Sequence, residues 1–231
     1  MARVFDKDIF VMMLSIMIGV IIITYFIADI MRNNQITEIE EKHIQEIEEI
    51  ETKNINFTSK YLDSVVSNEK AKDYLANGKI NFGVSKGFYG IILDENNETN
   101  FMNFRFYILD NCSGALSNFE KSYKNFLDSI KNFNESIEYS DYNLYIKLCR
   151  LYLNLSISGY ELAYLSYNLS KYLMYLTENL SFLDGNIVYD ENFTALENLY
   201  NQTMQDYLEK ELEYELRKDI IEIYDLSIPE R

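Results

Sequence analysis

Histidine is almost missing from this chain: 231 residues contain one, His43. A single imidazole excludes Ser-His-Asp and Cys-His nucleophilic catalysis and His-based zinc chemistry. Glu40-Glu41-Lys42-His43 contains one Glu-x-x-His, but a helical di-metal site needs two such motifs plus further carboxylates. There is no Trp, one Pro, two Cys and 8 Gly. So few breakers favour long helices over turn-rich folds. Gly78, Gly83, Gly87 and Gly90 match neither G-x-G-x-x-G nor a P-loop, so no phosphate cradle is expected. Basic residues are scarce too: 21 Lys+Arg against 37 Asp+Glu, a net charge of −16. Nucleic acid and anionic lipid both need basic patches, so neither is an expected partner. The plain reading is a solvated acidic surface, which would attract cations or basic partners. The carboxylates are spread so evenly that no pair stands out as acid and base. No enzyme activity, metal or cofactor is expected.

What is abundant is aromatic: 20 Tyr and 14 Phe. At helical spacing these read as thick packing faces more readily than as a ligand surface.

The first long pattern is apolar. Ile9 to Ile27 holds nineteen residues without a charge. About 20 apolar residues span a bilayer. A cleaved signal peptide would have a shorter apolar run and a small-x-small site, and Phe26-Ile-Ala-Asp-Ile-Met is a poor one. Residues 9–28 therefore read as an uncleaved, single-pass signal anchor, after a stub at 1–8. Such a stub leaves no room for a cytoplasmic effector domain. Arg3 and Lys7 before the span balance Arg32 and Lys42 after it, so flanking charge does not set the orientation.

The sequons set it instead. Asn-x-Ser/Thr occurs at Asn56, Asn97, Asn111, Asn134, Asn154, Asn168, Asn179, Asn192 and Asn201. All nine follow the apolar run. They are candidate N-glycosylation sites and place the bulk of the chain outside the cytoplasm, with the N-terminus inside. An Asn- and Ser-rich composition is the bland alternative.

Residues 29–60 read as an acidic juxtamembrane helix. Ile36, Ile39, Ile44, Ile47 and Ile50 form a stripe among seven glutamates between Glu38 and Glu51. Twenty helical residues would lift the following domain about 30 Å from the bilayer. The near-heptad spacing permits a homo-oligomeric coiled coil through 33–52, although the glutamates would repel in a parallel pair.

Residues 61–226 read as an all-α, up-and-down bundle of about four long helices, with a tail at 227–231. In the first, Leu62, Val65, Val66, Tyr74 and Leu75 are expected inside. Residues 79–93 fit helix or strand, and helix is preferred because no strand partner is evident. Residues 94–100 read as a loop. Phe101 to Phe133 keeps a 3-and-4 spacing through Phe104, Ile108, Cys112, Ala115, Phe119, Tyr123, Phe126, Ile130 and Phe133. Residues 134–141 read as a loop. Tyr142 to Leu183 reads as one helix, stopped by Asp184-Gly185-Asn186. On it, Asn154, Asn168 and Asn179 share a face predicted to meet solvent. Gly159, Ala163, Ser166 and Ser170 lie on a small-residue seam predicted to meet a neighbouring helix. The last helix is expected to bury Phe193, Leu196, Leu199, Tyr200, Leu208, Leu212 and Leu216.

Cys112 and Cys149 are a candidate disulfide closing about 37 residues, worth roughly 3–4 kcal/mol on the chain-entropy estimate. Two small buried thiols are the alternative. Taken together, the sequence predicts a membrane-anchored module with a structural or protein-interaction role, engaging another membrane or envelope protein. The alternative is a ligand-binding, sensor-like ectodomain working through a separate membrane partner.

Overall fold

A computed structural model describes residues 7–227. The stub and tail expected at the two ends lie largely outside these residues. Four helices carry the chain: α1 (Lys7–Ile92), α2 (Glu98–Tyr139), α3 (Asn143–Glu178) and α4 (Phe193–Ser227). A two-stranded hairpin, β1 (Leu180–Leu183) and β2 (Asn186–Tyr189), separates α3 from α4. Residues 79–92 are helical, as preferred from the sequence. The chain divides into two compact units, 1–53 and 54–231.

The first unit holds the early part of α1. Its most apolar 18-residue window has a mean hydropathy of 2.6, and none of that window is buried. This is the one helix among the described residues long and apolar enough to cross a membrane. Within the apolar run Ser15 Oγ donates to the Val11 carbonyl at 2.9 Å and Thr24 Oγ1 to that of Val20 at 2.8 Å. Both polar groups are thereby satisfied without water. Further on, the five spacer isoleucines from Ile36 to Ile50 are all exposed.

The second unit packs the rest of α1 against α2, α3 and α4. Ser64 lies level with Ser129, Ala71 with Ser122 and Ser85 with Ile108, so α1 and α2 are antiparallel. Ser129 pairs with Ser156, and Arg105 with the Thr177 carbonyl, so α2 and α3 are antiparallel as well. Lys210 reaches Glu161 on α3, and Lys79 on α1 reaches Glu211 on α4.

Steps of four and three place the buried residues of α2: Ile108, Cys112, Ala115, Phe119, Ser122, Phe126, Ser129, Phe133 and Ser136. Phenylalanines recur every seven residues, and small residues fill the positions between them. This is the spacing of knobs packing into holes. Each fully buried Phe contributes roughly 2 kcal/mol of transfer free energy. Ser122 and Ser129 take the fully buried positions, while the neighbouring Tyr123 and Ile130, expected inside, are half-buried, Tyr123 packing against the core. The serines fit because their hydroxyls have partners: Ser122 Oγ donates to the Ala71 carbonyl at 2.8 Å, and Ser129 Oγ to that of Ser64 at 3.0 Å. A satisfied hydroxyl can be buried at little cost. Close helix approach then favours the smaller side chain.

The same inversion appears elsewhere. On α1, Leu62 and Val66 are exposed, while Ser64, Asn68 and Ala71 are buried. On α4, Leu199, Leu208, Leu212 and Leu216 are exposed, while Tyr214 and Ile221 are buried and Tyr207 packs against the core. Tyrosines take the inner positions that the leucines were expected to fill. The Tyr207 hydroxyl finds a partner in Glu211, 2.7 Å from its Oη.

Two boundaries differ from the sequence reading. α2 continues through 134–139, where a loop was expected, because Ser136 stays on the buried face. α3 ends at Glu178, five residues before the predicted Leu183. Residues Leu180–Leu183 instead pair antiparallel with Asn186–Tyr189 around Asp184-Gly185. Asp184 has φ 51° and Gly185 φ 80°. Two consecutive positive φ values make the tight turn that matches strand twist, and Asp-Gly suits it. What read as a helix stop is a hairpin turn.

Candidate functional site

The nine sequons fall on every helix of the second unit and at both ends of the hairpin region. None of the nine asparagines is buried: Asn97, Asn134, Asn154, Asn192 and Asn201 are exposed, and Asn56, Asn111, Asn168 and Asn179 are half-buried. On α3 the predicted rotation holds for the seam, since Gly159, Ala163, Ser166 and Ser170 are all buried. It holds fully for Asn154, whereas Asn168 and Asn179 are partly covered. Asn179 caps the end of α3, and its Nδ2 donates to the Tyr175 carbonyl at 2.9 Å. Asn111 Nδ2 likewise donates to the Tyr107 carbonyl at 2.8 Å. Asn97 is the N-cap of α2, where its Oδ1 accepts from the Asn100 amide at 3.1 Å. That cap uses the oxygen and leaves the amide nitrogen available.

Three of the nine sequon hydroxyls are enclosed, unlike any of the asparagines. Ser136, Ser156 and Ser170 are buried. Ser156 sits at the centre of a polar layer. It receives a hydrogen bond from Asn68 Nδ2 at 2.6 Å, donates to the Tyr152 carbonyl at 2.9 Å and lies 3.0 Å from Ser129 Oγ. Asn68 is 1% exposed, and its Oδ1 has no hydrogen-bond partner among the described residues. A buried polar layer of this kind fixes helix register at some cost in stability.

The candidate disulfide is not formed. Cys112 and Cys149 are free and buried. Cys112 packs with Ile92, Ile108 and Leu173. Because α2 and α3 are antiparallel, Cys149 near the start of α3 lies level with the far end of α2. The two are separated along the helices by some 24 residues, about 36 Å. A bridge needs Cα atoms within about 7 Å. Desolvation pushes both thiols up to about 11.

Among the described residues no group of three or more His, Cys, Asp or Glu is placed to hold a metal ion. His43 is exposed and lies 3.5 Å from Glu46.

A groove of about 360 Å³ lies between α3 and α4, lined by Tyr160, Glu161, Tyr164, Asp206, Glu209 and Lys210 among others. Tyr160 and Tyr164 stack at 6.4 Å, and Tyr123 meets both edge-on. Lys210 closes one end, 2.7 Å from Glu161 and 2.8 Å from Glu213. Arg217 Nη2 lies 2.7 Å from the same Glu213. Hydrogen bonds from Lys210 and Arg217 lower the Glu213 carboxyl to about 2. Asp206 and Glu209 add further carboxylates to the lining. The groove therefore presents aromatic faces beside negative charge, an arrangement that favours a cation.

Beside it, Leu208, Leu212, Leu216, Ile220 and Ile223 stand exposed on α4. Sequence reasoning missed this surface, because it assigned the leucines to the core. The signal was the competing seven-residue spacing of Phe193, Tyr200, Tyr207, Tyr214 and Ile221.

Compared with known protein families, curated proteins and solved structures, the chain matches none of them.

Proposed function

We propose that this is a single-pass membrane protein whose second unit is a helical bundle on the extracytoplasmic side, with a structural or protein-interaction role at the cell surface. The observation that carries the reading is the contrast within α1. Every large apolar side chain from Val11 to Ile27 is exposed, between 47% and 74%, while the residues from 54 onward build a packed core. Exposed apolar helix of that length is stable in lipid and not in water. The bundle presents nine sequons with no buried asparagine, which supports the outward orientation and N-glycosylation. The exposed isoleucine stripe at 36–50 supports self-association through a short coiled coil.

Membrane fractionation of native cells tests this directly. The chain should resist extraction by alkaline carbonate. External protease should degrade the second unit in intact cells. Glycopeptide mass spectrometry should find sugar on several of the nine asparagines. Release by carbonate removes the anchor reading, and a protected, sugar-free second unit removes the orientation.

A second reading, a ligand-binding ectodomain acting through a separate membrane partner, is favoured by the groove between α3 and α4. Its tyrosines and carboxylates match the cleft such a role requires.

A further inference from the structure

We infer that the outer face of α4, with the tyrosine-lined groove beside it, receives a basic amphipathic helix from another membrane or envelope protein. The inference deepens the interaction reading above and rests on it.

Leu208, Leu212, Leu216, Ile220 and Ile223 recur at steps of four and three, which puts them along one side of the helix. They are 56%, 74%, 59%, 44% and 68% exposed. At about 200 Å² for a large apolar side chain fully in water, the stripe offers on the order of 600 Å². That is the upper end of apolar patches on monomers and most of the ~800 Å² per partner of a standard interface. The inner side of α4 already packs through Tyr207, Tyr214 and Ile221. The stripe therefore has no role in folding this chain.

Charge decides the occupant. At 100° per residue Glu209 and Asp219 fall within the stripe's arc, and Glu215 and Glu222 follow one margin. A second copy would set these carboxylates against their own counterparts, which is unfavourable across an interface. A helix with leucine-like anchors and Lys or Arg at its edges is complementary. The groove strengthens this choice, since Glu209 borders both surfaces. A Lys or Arg one turn from an apolar anchor would lay its stem on the tyrosines Tyr160 and Tyr164. Its charge would then fall near Asp206 and Glu209.

Sugar bounds the site. Asn201 lies on the same side of α4, seven residues or about 10 Å before Leu208. No sequon falls within residues 204–227. A glycan on Asn201 would close the stripe's N-terminal end and leave the leucines open.

The probe is a synthetic amphipathic helix of Leu and Lys, fluorescently labelled, titrated against the full chain in nanodiscs of zwitterionic lipid. Empty discs give the background, and a peptide with Glu in place of Lys is the control. Binding should be saturable and weaken with salt. The double variant L212S/L216S, which leaves charge unchanged, should weaken it by about tenfold or more, as loss of central apolar anchors does. D206N/E209Q should weaken it several-fold. Circular dichroism should show both variants folded, as expected for exposed positions. Equal binding by L212S/L216S and the parent chain would reduce the effect to diffuse charge and overturn the inference. So would equal binding of the Glu peptide. A dimer seen by light scattering and abolished by L212S/L216S would make a second copy the occupant and overturn it too. If the peptide fails while the chain resists carbonate extraction and external protease still reaches the second unit, only the α4 assignment falls.

Discussion

Gly159 of α3 meets the ring of Phe126 on α2 so closely that a Cβ on the glycine has no space. The glycine is the hole for that knob. Gly159→Ala should cost about 1–3 kcal/mol, the usual range for overpacking a filled core. Trimming the ring with Phe126→Leu in the same chain should recover part of the loss. Gly87 is the contrast, because a Cβ there meets nothing within 4 Å. Gly87→Ala should stabilise by about 0.5–1 kcal/mol, through the unfolded chain. Denaturant melts of the chain in detergent, followed by helical circular dichroism, distinguish all three.

The thiols should be inert while the protein is folded. Both Cys112 and Cys149 are fully buried, and desolvation raises each to about 11 from an ordinary 9.0. A thiol reagent at pH 8 should label neither over minutes, and should label two per chain after denaturation. Non-reducing and reducing electrophoresis should give the same band. For an acid raised on folding, the contribution to stability is complete below pH 9.0. It is lost as pH rises toward 11.

Acid should act through the ion-pair cluster along α4. Glu213 is lowered to about 2 from an ordinary 4.5 by hydrogen bonds from Lys210 and Arg217. Its contribution is therefore complete above pH 4.5 and fades as pH falls toward 2. Glu213→Gln should flatten the acid limb of a stability–pH curve over that window while leaving neutral pH less affected. An unchanged acid limb would show that Glu213 is not among the groups that set it.

The hairpin turn has a sharper requirement. Gly185 has φ 80°, so Gly185→Val should cost more than about 1 kcal/mol, because a β-branched residue is strained there. Asp184→Gly should be nearly neutral. Hydrogen exchange of the Leu180–Leu183 amides should report the first change and not the second.

Much of the helical content was legible because it rests on periodicity. Ile108, Cys112, Ala115, Phe119, Phe126 and Phe133 declare the buried face of α2 without any structure. The apolar run after Ile9 was equally plain. Hydrophobicity misled where two criteria compete. Leu212 is 74% exposed while Ser129 is fully buried, the reverse of their transfer preferences. Ser129 is inside because Ser64 and Ser156 give its hydroxyl partners and because the helices approach closely. Those partners lie 65 and 27 residues away, beyond any local pattern. The hairpin was hidden for another reason: Asp184-Gly185 suits both a helix end and a two-residue turn, and only the pairing of Phe182 with Ile187 decides between them.

The buried hydroxyls of Ser136, Ser156 and Ser170 have a consequence in time. An enzyme that attaches sugar to Asn134, Asn154 or Asn168 must reach the hydroxyl two residues on, and the finished interior has already enclosed it. These acceptors are open only while α2 and α3 remain apart. Asn97 and Asn192, whose Thr99 and Thr194 stay at the surface, have no such deadline. If the chain is N-glycosylated, occupancy at the first three, set against the other two, would act as a clock, recording how long the nascent chain waits before its helices close.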